Sequence, residues 1–98
     1  MIKSFRDEGT QFVFNGQVTK KARKSCPIKL WDIASRKLDH LDSAERVNDL
    51  KVPPGNRLEK LSGDRRGQHS IRINEQYRIC FVWSEGGPSD VEIVDYHK

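Results

Sequence analysis

The stretch from Gly67 to Trp83, GQHSIRINEQYRICFVW, limits the folds open to this chain more than any other. Apolar residues alternate with polar ones at Ile71 and Ile73, and again at Tyr77, Ile79, Phe81 and Trp83, the period-two pattern of strands covered on one face. Two such runs separated by a short polar segment predict a β-hairpin. A two-residue turn at Glu75 and Gln76 would set Ile73 across from Arg78 and Arg72 across from Ile79, mixing apolar and charged groups on both faces. A three-residue turn, Asn74 to Gln76, avoids this. It pairs Ile73 with Tyr77, Ile71 with Ile79 and His69 with Phe81 on one face, and Arg72 with Arg78 on the other. Asn74 or a neighbour is expected in the left-handed conformation that such a turn usually requires.

This register sets two guanidinium groups directly across from each other. Like charges so placed destabilise a sheet unless an acid or an anion sits between them. Either Glu59, Glu92 or Asp95 from adjacent strands neutralises the pair, or the surface exists to bind an anion.

With 98 residues the chain is expected to form a single domain, 1–98, with one core and room for one site. Hydrophobic residues make up 35% and charged residues 33%, and no apolar run approaches a membrane span. The segment MIKSFRDEG has neither an apolar signal region nor a cleavage pattern, so a cytoplasmic location is expected. Cys26 and Cys80 are too few for a disulfide framework or a zinc site and read as free thiols, Cys80 as strand packing. The net charge of +4 favours an anionic partner without requiring one.

In chain order, Ile2 to Phe5 predicts a short strand and Asp7 to Asn15 one or two helical turns ending at Gly16. Gln17 to Ser25 crowds Lys20, Lys21, Arg23 and Lys24 together, either as a solvated loop or as an arm that contacts phosphate. Leu30, Trp31, Ala34, Leu38 and Leu41 recur at spacings of three and four, predicting an amphipathic helix from Pro27 to Asp42. On it, Trp31 reads as core filler and His40 as a surface or partly packed residue. Ser43 to Leu50 predicts a further short helical turn that VPPG, Val52 to Gly55, terminates. Arg57 to Leu61 reads as a strand, SGDRRG (Ser62 to Gly67) as a charged turn, SEGGPSD (Ser84 to Asp90) as a connecting turn and Val91 to Tyr96 as the last strand. The expected fold class is α+β, with helices packed on one face of a twisted, largely antiparallel sheet whose other face carries the arginines.

Dinucleotide-binding, P-loop, nucleophile-elbow and zinc-protease motifs are all absent. The chemistry open to the chain therefore lies on the basic sheet face. If the final strand lies beside the hairpin, it brings Tyr96 and His97 towards Arg72 and Arg78. An imidazole exchanges protons near neutral pH, and guanidinium donors stabilise charge on a phosphate. These are groups that metal-free RNA cleavage needs, although a C-terminal His is more often a frayed surface residue and Tyr96 is also readable as an aromatic packed at the sheet edge. Arg65 and Arg66 read as a solvated tip or as phosphate contacts.

The segment PPGNRLEKLSGDRRGQHSIRINEQYRICFVW, followed by VEIVDYH, resembles the HigB-type toxins of bacterial type II toxin–antitoxin systems, within the RelE/ParE superfamily. The motif-rich part is Pro53 to His97, and the N-terminal half fits as the helical portion. The resemblance implies a RelE-like fold and a ribosome-dependent endoribonuclease that cuts mRNA in the decoding site without a cofactor. It also implies a HigA-like helix-turn-helix antitoxin, with operator DNA bound only through the toxin–antitoxin complex. By the same resemblance Arg72 and Arg78 stabilise phosphate, and Asp95, Tyr96 and His97 match the DYH ending that contributes to catalysis. Two positions depart from the family pattern: Ser62 stands where Lys is usual, and His69 where an aromatic commonly precedes the SIR segment. Loss of that cation predicts weaker cleavage, and the register puts His69 on the packed face. The other reading is a ParE-like or degenerate member that binds a protein or nucleic acid without cutting RNA.

Overall fold

A computed structural model describes residues 1–96. Three helices precede the sheet: α1 (Glu8–Phe14), α2 (Lys20–Ser25) and α3 (Trp31–Ser43). Single 3-10 turns at Val47–Lys51 and Pro54–Asn56 lead into β1 (Glu59–Lys60), and another at Gly63–Arg65 leads into β2 (His69–Arg72). β3 (Tyr77–Ser84) and β4 (Gly87–Asp95) complete an antiparallel sheet of order β1-β2-β3-β4. This is the expected α+β arrangement.

The hairpin has the register that the alternation demands: His69 opposite Phe81, Ile71 opposite Ile79 and Arg72 opposite Arg78. Its turn is closed by the Asn74 side chain, which accepts from the backbone N–H of Gln76 at 2.9 Å and of Tyr77 at 2.7 Å. No residue from Asn74 to Gln76 takes the left-handed conformation, because the side chain supplies the turn that a positive φ would otherwise provide. Ile71, Ile79, Phe81, Val91 and Ile93 on one sheet face join Val13, Ala22, Ala34, Leu38, Leu41 and Leu50 in the core. Fully burying one such side chain contributes about 1.5–3 kcal/mol, so this face fixes the register of the whole sheet.

Five element boundaries differ from the sequence expectation. Ile2 to Phe5 is not a regular strand: Phe5 makes one parallel bridge to Val91, held by bonds such as Arg6 N–H to the Val91 carbonyl at 2.9 Å. The basic segment is not a loop. Lys20–Ser25 is helical because Thr19 caps it, accepting from Ala22 N–H at 3.0 Å, and because Ala22 is fully buried. Pro27 lies in extended backbone before the helix, so Ile28–Leu30 forms a 3-10 turn and the α-helix begins at Trp31, whose Nε1 donates to the Cys26 carbonyl. The strand expected at Arg57 to Leu61 shrinks to Glu59–Lys60. The turn expected over Ser84 to Asp90 tightens to Glu85 and Gly86, with Gly86 at φ 91°, and the residues from Gly87 onward join β4.

Candidate active site

The sheet face turned away from the core carries Glu59 of β1, Ser70 and Arg72 of β2, Arg78 and Cys80 of β3, and Glu92 of β4. Paired residues share a face, and the register sets Glu59 against Ser70, Ser70 against Cys80, Cys80 against Glu92, and Arg72 against Arg78. The facing guanidinium groups are held apart by different partners. Arg78 Nη1 donates to Glu59 Oε1 at 2.9 Å, while Arg72 Nε donates to the Asn74 carbonyl at 3.1 Å and its Nη2 lies 3.9 Å from Glu75. Of the three acids expected to neutralise the pair, Glu59 reaches Arg78. Glu92 binds Arg65 at 2.8 Å, and Asp95 accepts from the Gln76 side chain at 3.0 Å.

Tyr96 follows the end of β4 and folds over this face. The Arg78 guanidinium lies over its ring, 5.3 Å from the centroid, and its hydroxyl lies 3.7 Å from Cys80 Sγ. Its backbone N–H is tied to the Gln76 carbonyl. Burial first, then the contact with Cys80, pushes the phenol above its ordinary value against the pull of Arg65 and Arg78, so at neutral pH it is a neutral donor. Burial likewise pushes the Cys80 thiol up. The Ser70 hydroxyl, opposite Cys80, is buried without a protein partner.

Of the residues singled out in sequence, the structure brings together Arg72, Arg78, Tyr96 and Arg65. Asp95 is opposite Tyr77 in the register, on the other side of the strand from this cluster. His97 lies outside the described residues. Arg66 is an exposed residue just past the Gly63–Arg65 turn. Lys20, Lys21, Arg23 and Lys24 are exposed on α2, which is anchored through Ala22 to the opposite side of the sheet, and Lys21 pairs with Glu8 at 2.6 Å. They form a second basic surface, separate from the arginine face.

Sequence reasoning missed two members of the cluster. Cys80 reads as packing, yet it lies beneath the Tyr96 hydroxyl. The parity signal was available, since Cys80 has the same phase in β3 as Arg78. Glu59 was legible as a counter-charge but not as an edge carboxylate standing at the site itself, with its side chain 52% exposed. His69 does pack as expected, its ring stacked 6.1 Å from that of Phe81. Ser62 is exposed and makes no capping bond. Among the described residues, no group of three or more His, Cys, Asp or Glu side chains could hold a metal ion, and no helix is long and apolar enough to cross a membrane.

The family model for HigB-like toxins, described as RelE-like toxins of type II toxin–antitoxin systems, matches residues 3–97. The chain belongs to the HigB-like toxin family. It is similar to the toxin HigB-1 of Vibrio cholerae, at 44% identity over 88% of this chain and 87% of that protein. It is also similar to the endoribonuclease HigB of Proteus vulgaris, at 31% identity over 99% of this chain and 100% of that protein. Among solved structures, a chain of the YoeB–YefM complex from Staphylococcus aureus matches with a TM-score of 0.61 over 100% of this chain and 97% of its own length. At 17% identity that likeness concerns the fold alone. A HigB-like toxin is one half of a toxin–antitoxin pair, which makes an antitoxin its partner.

Proposed function

We propose that this HigB-like toxin is an endoribonuclease that cuts mRNA on the ribosome and is neutralised by a HigA-like antitoxin. The carrying observation is the Glu59–Arg78–Tyr96 arrangement, with the Arg78 side chain only 18% exposed and fixed on two sides. A guanidinium so held presents its remaining donors to a phosphate without first losing rotamer freedom.

The chemistry follows from these groups. The 2′-oxygen of the substrate attacks the adjacent phosphorus, the bond to the 5′-oxygen breaks, and a 2′,3′-cyclic phosphate and a 5′-hydroxyl result. Arg78 and Arg72 supply positive charge where the phosphorane gathers negative charge. Glu59, bound to Arg78 through Oε1, takes up the 2′-hydroxyl proton on its other carboxylate oxygen. Tyr96, kept protonated by its surroundings, donates towards the leaving 5′-oxygen. By resemblance, His97 contributes a second acid–base group, and Asp95 belongs to the same DYH ending. The basic surface of α2, with Arg66, suits contact with ribosomal RNA, where charge attraction needs no sequence reading. The ParE-like alternative has no observation in its favour that the nuclease reading lacks.

The test is cleavage of mRNA on purified translating ribosomes by wild type, Arg78→Ala, Tyr96→Phe and His97→Ala. Wild type should yield cut message, and each variant much less. Cutting at the wild-type rate by all three variants removes these residues from the mechanism.

A further inference from the structure

A cavity of about 290 Å³ lies between α3 and the Pro54–Asn56 turn, lined by Ile33, Arg36, Lys37, His40, Pro53 and Asn56. Spacings of three and four put Ile33, Arg36, Lys37 and His40 on one side of the helix. The ionisable groups of this lining are all basic, and among the described residues none of them forms an ion pair with an acid. Asp49 interacts with His40 at longer range, but its Oδ2 already accepts from the N–H groups of Glu45 and Arg46.

Lys37 is fixed in the wall of the cavity. Its Nζ donates to Oδ1 of Asn56, a fully buried side chain whose Nδ2 donates to the Leu50 carbonyl at 3.1 Å and the Val52 carbonyl at 3.4 Å. A half-buried ammonium with an amide acceptor and no carboxylate is poorly compensated. Burial first, then Arg36, pushes the amine below its ordinary 10.5, which makes the uncharged, nucleophilic form more available than on a surface lysine. Arg36 spends its Nε on the Asp32 carbonyl at 3.4 Å, and its two Nη groups stay open.

A held amine beside an open guanidinium suits an acyl group that carries an anionic leaving group. We propose that Lys37 is a covalent modification site, acylated by acyl phosphates whose phosphate the cavity holds through Arg36 and His40. The uncharged Nζ attacks the carbonyl carbon, the bond from that carbon to the phosphate oxygen breaks, and the phosphate leaves with the electron pair and takes the surplus amine proton. The amide so formed keeps one N–H for Asn56 and loses the positive charge. Lys21 and Lys24 differ in the one respect that matters: their cleft on α2 also holds Asp7 and Glu8, which repel such an anion.

The test incubates the folded protein with acetyl phosphate, and separately with the neutral reagent N-acetoxysuccinimide, and follows each lysine by peptide mass spectrometry. With acetyl phosphate Lys37 should react faster than Lys24. Arg36→Gln also removes a charge that holds the amine down, which slows both reagents alike, so the ratio of the two rates at Lys37 isolates anion binding. That ratio should fall about 10-fold in Arg36→Gln, the lower end of what a cleft of one charge sign does to local anion concentration, and should be unchanged at Lys24. His40→Gln should lower it less. Lys37 reacting no faster than Lys24 with acetyl phosphate overturns the proposal, as does a Lys37 ratio that Arg36→Gln leaves as it was.

Discussion

The guanidinium of Arg78 is held between the Tyr96 ring, 5.3 Å away, and the Glu59 carboxylate, 2.9 Å away. A cation over an aromatic face is worth about 0.5–1 kcal/mol when exposed and about 2 kcal/mol when desolvated. At this degree of burial the gain is enough to select one rotamer. What Arg78 contributes is thus position more than stability. Replacing it by Ala should lower single-turnover cleavage on ribosomes by about 10²–10³-fold, the usual cost of one preorganised donor to a developing oxyanion. Arg78→Lys should recover little, because a point charge on a flexible stem cannot meet carboxylate, ring and phosphate together. A lysine variant with near wild-type rate would show that charge alone suffices.

Tyr96 allows a cleaner separation of packing from chemistry. Tyr96→Phe keeps the ring beneath Arg78 and removes only the hydroxyl, so its unfolding midpoint should stay close to wild type while cleavage falls. Burial raises both Tyr96 and Tyr77 above the ordinary value of 10.0. Absorbance near 295 nm should therefore report little tyrosinate in the folded protein until the pH is above 10. The folded state holds its phenolic protons more tightly than the unfolded chain does, so this contribution to stability is fully present below pH 10 and is lost as pH rises further. Two tyrosines titrating near pH 10 in the native protein would contradict the packing described.

Much of this site was legible because strand parity is binary. Once Ile71, Ile73, Ile79 and Phe81 are assigned to the core, Arg72 and Arg78 can only share the other face, and the register sets them opposite each other. Helix boundaries lack this property. Thr19 and Ala22 carried the signal for α2, a cap three residues before a buried small side chain, yet four cations in that segment outweighed it on composition. Contacts made across the fold were not legible at all. Nothing local to Arg65 announces Glu92, 27 residues away, nor does anything near Cys80 announce the Tyr96 hydroxyl, 16 residues on.

His69 contributes to the acid side of the stability profile. Burial, then the nearby Lys60, pushes its imidazole below the ordinary 6.5, and its buried Nδ1 has no protein partner. The unfolded chain binds the proton more readily, so stability should fall as pH drops below 6.5 towards the depressed value and level off beneath it. His69→Phe keeps a ring against Phe81 and has no proton to gain. Its melting temperature should lose the part of the decline that begins near pH 6.5. Parallel melting profiles for the two proteins would rule out His69 as the source.

Cys26 and Cys80 should behave as buried apolar groups rather than reactive thiols. Both are fully buried, and burial raises Cys26 to about 11 and Cys80 above its ordinary value. Thiolate is the reactive form, so alkylation near neutral pH should proceed only when the protein opens. Labelling in native buffer should be slow and should accelerate along the urea unfolding curve. Rapid labelling of either thiol in the folded protein would mean that its cover is loose.

The α1–α2 hairpin rests on one close approach. A Cβ at Gly9 would run into Ser25 Oγ and the Lys21 carbonyl of the neighbouring helix. Ser25 cannot retreat freely, since its hydroxyl donates to Asp7 at 2.7 Å and Asp7 also caps α1 through Thr10 N–H at 3.0 Å. Separating the helices would also draw Ala22 and Val13 out of the core they share. Gly9→Ala gains helix propensity but should lose about 1–3 kcal/mol of stability in urea unfolding, the usual cost of overpacking. Gly55→Ala is the control. Its added methyl meets nothing within 4 Å, so it should stay within about 0.5 kcal/mol of wild type. If Gly9→Ala matched that control, the helices would have room to separate, and α2 would be packed less tightly than the Asp7–Ser25 bond implies.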